Sequence, residues 1–389
     1  MKKTVLSILL LSLLLLCSCG KTEMPTPTQN ENDCHLRPKQ LSENDFDISR
    51  RLDPESILQV DDGILLAVPA TKDTDFQTTL YYFDSKSQQI IPTCAQPNCT
   101  HDKKSTNCTA NLTGLDAWRG LYYADGWVYV AGQGNGEYGD QYCLWRIALD
   151  GSGRDVVLPF GRMAANDTLP SGDWMIHRGY VYYTKADDEK TISVYRQNLQ
   201  KKGEEKLYSV SGIGSQLLRL CGVDDGFYFE TCYFTDESLE NFEGGLYYYD
   251  LTQKEAQLVL NGCCKPYVVG YDVIYYMTAD SLCTYDPASG ETKVIAELGD
   301  FGYLTYDEKY LYCETEQALF VFTPDGNKIA ELPCVDGGKV CQNIYCHNST
   351  YLAGVGEEKD DNGEYGVRLF LMDKESLTNH PHWDVMPLK

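Results

Sequence analysis

The sequence predicts an all-β fold, and three observations lead to this prediction. A turn dipeptide followed by an aromatic or β-branched strand recurs along the 389 residues, first at residues 62–66. A second strand of the type Leu-Tyr-x-x-Asp follows after a variable gap, first at residues 80–84. Finally, no segment shows a sustained helical period of apolar residues. Short strands separated by Gly, Asp and Asn turns are the pattern expected of antiparallel sheets.

The turn-and-strand unit occurs seven times. In chain order, the copies contain residues 62–66, 125–129, 178–183, 225–229, 272–276, 308–312 and 349–353. An apolar run before each turn and a short strand after the Leu-Tyr-x-x-Asp segment make four strands in about 48 residues. That repeat is typical of a β-propeller blade, so a seven-bladed β-propeller is predicted, with six or eight blades if one copy is miscounted. Two β-sandwich domains are the competing architecture, but sandwiches do not repeat one motif in register.

A propeller must also close its ring, and the last copy lacks an obvious fourth strand. Two segments could supply it, residues 383–386 at the C-terminus or residues 46–48 near the N-terminus. Either one would cover an otherwise exposed sheet edge.

The strands of each blade are called A to D in chain order. Because neighbouring strands alternate in direction, the B–C loops and the D-to-A connections share one face, and the A–B and C–D turns share the other. The first set carries nearly all the length variation, at residues 69–79, 92–118, 131–142, 159–174, 231–243 and 354–366. Binding residues commonly lie on variable loops of a rigid scaffold, so this face is the predicted binding face.

The N-terminus has the features of an export signal. Two lysines precede an apolar stretch of about a dozen residues, which is too short to span a membrane comfortably. The stretch ends in Leu-Cys-Ser-Cys-Gly at residues 16–20, which resembles the lipobox of bacterial lipoproteins. The resemblance implies that Cys19 carries a diacylglyceryl group, of the palmitate kind, and holds the protein to the membrane. An ordinary cleaved signal with an incidental cysteine is the alternative.

These features predict three parts of the chain. Residues 1–18 are a lipoprotein signal peptide, and residues 19–50 contain the lipidated Cys19 and a flexible spacer rich in Pro, Thr, Asn and Asp. Residues 51–389 form the propeller, with a Cys-rich insertion at 92–112. The expected location is the cell membrane, with the propeller on the extracytoplasmic face.

The most specific local motif lies in that insertion. Cys94, Cys99, His101 and Cys108 fall within 15 residues and match the ligand types of a tetrahedral Cys₃His zinc site. The spacing C-x₄-C-x-H-x₆-C is not a standard finger spacing. A disulfide between two of the three cysteines is the alternative, since an exported chain can form disulfides.

Charge and missing motifs restrict the function. The chain has 57 Asp plus Glu against 33 Lys plus Arg, a net charge of −24, so a nucleic-acid partner is disfavoured. It has no nucleophile elbow, phosphate-binding Gly loop or H-E-x-x-H segment. A non-catalytic scaffold for a glycan, a peptide or an envelope protein is therefore predicted. The alternative is a glycan-active hydrolase or lyase that uses acidic residues at the channel, with Glu137, Asp140 and Glu364 as candidates.

The Gly-x-Val-Tyr-Tyr and Leu-Tyr-x-x-Asp strands, together with the Cys-rich insertion, resemble a group of bacterial surface lipoproteins. Their propellers belong to domain families of unknown function and are distantly similar to those of low-density-lipoprotein-receptor type proteins. The resemblance covers residues from about 50 to 389 and implies the fold and the location of the protein.

Overall fold

The structure, a computed structural model, describes residues 57–388 apart from a set of short segments. The segments outside the described residues are 61–62, 69–77, 102–106, 116–119, 125, 140, 163–172, 202, 263–266, 271–272, 279, 299–301, 308, 316–317, 334, 337–338, 346–349 and 360–364. The described residues form seven β-sheets, with short 3₁₀ turns at Gly136–Tyr138 and Lys374–Thr378.

Each sheet is one blade. Blade 1 contains β1 (Ile57–Val60), β2 (Gly63–Val68), β3 (Thr79–Asp84) and β4 (Gln89–Pro92), and blade 2 contains β5 (Leu121–Ala124), β6 (Trp127–Gln133), β7 (Gln141–Ala148) and β8 (Arg154–Arg162). Blade 3 contains β9 (Trp174–His177), β10 (Tyr180–Ala186), β11 (Thr191–Asn198) and β12 (Glu204–Ser211), and blade 4 contains β13 (Ile213–Val223), β14 (Gly226–Phe234), β15 (Phe242–Asp250) and β16 (Glu255–Asn261). Blade 5 contains β17 (Tyr267–Val269), β18 (Ile274–Met277), β19 (Ser281–Asp286) and β20 (Glu291–Glu297), and blade 6 contains β21 (Tyr303–Tyr306), β22 (Leu311–Glu314), β23 (Ala318–Phe322) and β24 (Lys328–Pro333). Blade 7 contains β26 (Lys339–Tyr345), β27 (Tyr351–Lys359), β28 (Tyr365–Asp373) and β29 (Asp384–Pro387), preceded by the two-residue strand β25 (Val335–Asp336).

Within every blade the strands pair antiparallel in chain order. The predicted all-β fold with seven four-stranded blades is therefore confirmed. The acidic residue that ends the Leu-Tyr-x-x-Asp strand explains the sharp C–D turns. The Asp84 carboxylate accepts a hydrogen bond from the Lys86 amide at 3.0 Å, and Asp250 accepts one from the Thr252 amide at 2.7 Å. This side-chain cap satisfies a turn amide that the ladder leaves unpaired.

The hydrophobic core is divided among the contacts between neighbouring blades. Seven clusters of buried residues fill these seven junctions, and the aromatic residues of the repeat lie within them. Tyr228 and Tyr276, for example, are almost fully buried between blades 4 and 5. The abundance of tyrosine thus follows from the wedge-shaped space that the blades leave between them.

The C-terminal segment supplies the fourth strand of blade 7. Strand β29 pairs with β28 from Leu371↔Asp384 to Arg368↔Pro387. Blade 7 then packs on blade 1 through a cluster that contains Leu66 and Leu369. The alternative segment, residues 46–48, lies outside the described residues.

Strand residues extend into three of the predicted variable loops. In blade 4, β14 and β15 stay paired as far as Phe234↔Phe242, where the two rings form an edge-to-face pair at 5.2 Å. Blades 2 and 7 have similar long B–C hairpins. The described part of the chain contains no helix that is long and apolar enough to cross a membrane.

Candidate metal centre

The Cys-rich insertion interrupts the edge strand of blade 1. Strand β4 pairs with the C-terminal half of β3 as far as Tyr81↔Pro92, and the chain then leaves the sheet. It returns at Asn111, which pairs with Thr79 in the N-terminal half of β3. Two hydrogen bonds fix the return, from the Leu80 amide to the Ala110 carbonyl at 2.9 Å and from the Leu112 amide to the Thr78 carbonyl at 2.7 Å. Residues 94–108, the cysteine module, are thus an excursion held at both ends by one strand.

This excursion brings the four predicted ligands together. The sulfur atoms of Cys94, Cys99 and Cys108 and a ring nitrogen of His101 all lie within 4.8 Å of one another. The Cys108 Sγ and His101 Nδ1 atoms are 3.7 Å apart. Tetrahedral zinc with bonds of about 2.0–2.3 Å would place neighbouring ligand atoms about 3.5–3.8 Å apart. The arrangement is therefore close to the one that a tetrahedral ion requires.

Backbone hydrogen bonds to the three cysteine sulfurs also support thiolate ligands. Each cysteine of the module accepts a hydrogen bond from the backbone amide two residues further along the chain. The donors are the amide of Gln96 for Cys94, the amide of His101 for Cys99 at 3.4 Å, and the amide of Ala110 for Cys108. Hydrogen bonds to the charged form favour a thiolate, which is the form that binds metal.

The pKa values of the module's thiols are shifted in opposite directions. Burial alone would raise the pKa of Cys94, but hydrogen bonds from the Thr109 hydroxyl and from the Gln96 and Thr109 amides lower it to about 6. Burial raises the pKa of Cys108 to about 11, and the neighbouring sulfurs of Cys99 and Cys94 add to this rise. The cluster therefore favours one thiolate and opposes another beside it, which is the conflict that a divalent cation removes.

The other described cysteines have different surroundings. Cys143 and Cys313 are buried within sheets, and burial raises the pKa of the Cys143 thiol to about 11 and that of Cys313 further still. Such thiols behave as small apolar core residues. No disulfide joins any of the eight cysteines whose side chains the structure describes. Cys19, the predicted lipidation site, lies outside the described residues.

The residues that flank the module contact blade 2. Gly151, in the C–D turn of blade 2, lies against the Thr93 carbonyl and the Thr109 hydroxyl, which stand directly before and after residues 94–108. The sequence predicts that the module, as part of a D-to-A connection, lies on the variable-loop face, whereas C–D turns belong to the opposite face. The flanking residues therefore lie at the edge between blades 1 and 2.

Of the three acidic candidates for catalysis, Glu137 is the one that lies within the described residues. Glu137 lies in the exposed 3₁₀ turn of the blade 2 hairpin, where its carboxylate accepts from Tyr138 and raises the pKa of that phenol. Asp140 and Glu364 lie outside the described residues.

Sequence reasoning missed the residues that support the module from blade 2. The Arg154 Nη2 atom donates to the Thr109 carbonyl at 3.2 Å and to the Asn111 carbonyl at 2.9 Å. Nothing in the sequence pattern marks Arg154, because it is one of several charged residues that begin a strand.

Comparison with known proteins adds information on the fold. No protein-family model and no characterised protein sequence matches the chain. Among solved structures, a puromycin hydrolase is similar with a TM-score of 0.57 and 13% identity over 88% of this chain and 54% of that chain. A prolyl endopeptidase gives 0.56 and 13% over 89% and 51%, so this chain spans about half the length of both. An oligogalacturonate lyase from Vibrio parahaemolyticus gives 0.54 and 9% over 85% of this chain and 91% of that chain. At these identities the similarity concerns the fold alone.

Proposed function

We propose that the protein is a membrane-anchored extracytoplasmic lipoprotein whose propeller is a non-catalytic binding scaffold stabilised by one zinc ion. The observation that carries the zinc site is the convergence of Cys94, Cys99, His101 and Cys108 on one point. Three thiolates and one imidazole suit Zn²⁺ and leave no open coordination position for a substrate. The ion is therefore structural.

The zinc site is tested by metal analysis of the purified protein. We expect about one zinc ion per chain in the wild type and in a Cys232→Ser control, and none in Cys99→Ser. Cys232 is a suitable control because it is buried outside the module and donates to the Gln216 side chain, as a serine hydroxyl can. A disulfide between two cysteines of the module, detected by mass spectrometry, would refute the zinc site.

The anchor is proposed from the lipobox at residues 16–20 and from the spacer that follows it, with the propeller beginning near residue 51. One lipid-modified cysteine with its acyl chains holds a protein at a membrane surface. Cys19→Ser should move the protein from the membrane fraction to the soluble fraction and abolish labelling with a palmitate analogue. Cys17→Ser is the matched control and should stay in the membrane; release of both variants, or of neither, contradicts the proposal.

The binding role rests on the long hairpins of the variable-loop face. The blade 4 hairpin exposes Leu239 and Phe242 at its tip, with 41% and 37% of their surfaces accessible. Large exposed apolar side chains on a protruding hairpin are common at sites of recognition. Arrays of glycans, peptides and envelope proteins should give a ligand whose binding is lost in a Leu239→Asp/Phe242→Asp variant and kept in Val294→Asp. Turnover of the bound ligand would contradict a non-catalytic role.

A glycan-active lyase or hydrolase is the second candidate. It is favoured by the similar architecture of the oligogalacturonate lyase, since this chain covers 91% of that structure. Incubation with oligogalacturonate should then give the ultraviolet absorbance of an unsaturated product, and Glu137→Gln should reduce it. An unchanged substrate after prolonged incubation leaves the scaffold as the proposed function.

A further inference from the structure

Thr109 lies between the cysteine module and blade 2. This residue follows the ligand Cys108, and its hydroxyl hydrogen-bonds the sulfur of the ligand Cys94. The same hydroxyl oxygen accepts from the Ala95 amide at 3.1 Å. Thr109 therefore contacts the start of the module while it stands directly after its end.

The backbone of Thr109 is held from the other side by Arg154, the first residue of β8 in blade 2. One guanidinium nitrogen donates to the carbonyls of both Thr109 and Asn111, at 3.2 and 2.9 Å. Asn111 is the residue that returns the chain to the edge of β3. Arg154 thus fixes the peptide that joins the last metal ligand to blade 1.

The turn that precedes Arg154 closes the same contact. Gly151 has a φ of +74°, and a Cβ atom there would lie 2.3 Å from the Thr93 carbonyl oxygen and 3.0 Å from the Thr109 hydroxyl. The blade 2 turn therefore lies directly against both ends of the module, with no room for a side chain. Any displacement of the module must also displace this turn.

We propose that Arg154 is a positioning residue for the metal site, and that zinc binding and the packing of blade 1 on blade 2 stabilise each other. This inference rests on the proposed zinc site. A Cys₃His site with Zn²⁺ carries one net negative charge, which a neighbouring guanidinium complements. Residues that hold ligands in place from outside the coordination shell commonly change metal affinity about 10- to 100-fold. Linkage requires that the effect be reciprocal, so zinc must also protect the blade 2 turn.

Arg146 provides a matched control. It lies on the adjacent strand β7 and contacts Asp155 at 3.5 Å and the face of the Trp127 ring. It has the same charge and lies in the same blade, but none of its described contacts is with the module. Both Arg146→Met and Arg154→Met remove a positive charge from blade 2, but only Arg154→Met removes the hydrogen bonds to the Thr109 and Asn111 carbonyls.

The experiment measures the zinc affinity of the full-length, detergent-solubilised protein by competition with a chromogenic chelator. Arg154→Met should bind zinc about 10- to 100-fold more weakly than wild type, and Arg146→Met should stay within about twofold. Arg154→Lys, which keeps the charge but shortens the reach to the two carbonyls, should be intermediate and serves if Arg154→Met does not fold. Hydrogen exchange at residues 151–153 should accelerate on zinc removal in the wild type.

Equal zinc affinity in the wild type and both Arg154 variants overturns the positioning role while leaving the zinc site intact. The same conclusion follows if Arg154→Met lowers the thermal midpoint equally with and without zinc, since a merely structural residue would do so. A wild-type protein that binds no zinc removes the proposed site and this inference together.

Discussion

Two junctions between blades are closed at similar places by different chemistry. Between blades 6 and 7, Lys374 follows strand C of blade 7 and binds Asp307 in the A–B turn of blade 6. Between blades 1 and 2, the C–D turn of blade 2 contacts the residues that flank the cysteine module at the edge of blade 1. In each case the end of strand C in the second blade meets a polar element of the first blade.

The two junctions differ in whether the protein's own side chains neutralise the buried charge. The Asp307 carboxylate accepts from the Lys309 and Tyr310 amides, the Tyr312 hydroxyl and the Lys374 ammonium. Burial alone would raise the pKa of Asp307, but Lys374 and these hydrogen bonds lower it. The ion pair is thus satisfied by the chain itself, whereas the sulfurs of Cys94 and Cys99 raise the pKa of Cys108, an effect that the proposed cation would offset. A buried junction can be closed by paired charges or by a metal, and only the second makes stability depend on the surroundings.

The largest effect is expected from Lys374→Met, which leaves the buried Asp307 carboxylate without its counter-charge. Removal of one partner of a buried ion pair costs about 3–5 kcal/mol of unfolding free energy. Urea denaturation of zinc-loaded protein should show this loss.

The matched control for that variant is Lys328→Met. Lys328 pairs with Glu331, and half of each side chain is exposed to solvent. Exposed pairs contribute about 0–1 kcal/mol to the free energy of unfolding. A similar loss in both variants would contradict the larger contribution expected of the buried Lys374–Asp307 pair.

Zinc removal should have the next largest effect. At a free zinc concentration about 100-fold above Kd, binding adds about 2.7 kcal/mol to the free energy of unfolding. Treatment with a chelator should remove this increment from the wild type and should have no effect on Cys99→Ser. A chelator effect of the same size in Cys99→Ser would place the ion elsewhere.

A smaller effect is expected from Gly151→Ala compared with Gly126→Ala. Both glycines have a positive φ, of +74° and +78°, so both variants incur about 1–2 kcal/mol of backbone strain. A side chain at Gly126 would meet no atom within 4 Å, whereas one at Gly151 would collide with the Thr93 carbonyl. Gly151→Ala should therefore lose about 1–3 kcal/mol more and bind zinc more weakly. Equal stability of the two variants would contradict close packing of the module on blade 2.

The smallest effect concerns the chemical reactivity of the Cys94 thiol and does not involve a change in stability. Because the pKa of Cys94 is lowered to about 6, its thiol should be mostly ionised at pH 7 in zinc-free protein. Iodoacetamide should modify Cys94 at a rate that rises through about pH 6, and zinc should protect it. Cys143 should stay unmodified because it is buried and its pKa is about 11. A rate that rises only near pH 8.5, the ordinary value for a thiol, would contradict the lowered pKa.

The sequence predicted the architecture well because blades are built from local contacts. The Asp84 cap, the strand pairs and the seven copies of the repeat involve residues close in the chain, so they leave a periodic pattern. The four candidate ligands of the module were also visible, since they are neighbours in sequence. The lengths of the B–C hairpins were underestimated, because ladder pairs such as Phe234↔Phe242 continue beyond the repeated motif.

By itself, the sequence determined the fold class, the number of blades to within one, and the identity of the four candidate ligands. Only the tertiary structure decided that the residues flanking the module lie against the C–D turn of blade 2, that Arg154 supports them, and that Lys374 meets Asp307 across 67 residues of chain. The physical reason is that a blade's own pairing is set by nearest neighbours along the chain. Contacts between blades depend on how twisted sheets pack around the ring, and a linear pattern of residues carries no direct record of that packing.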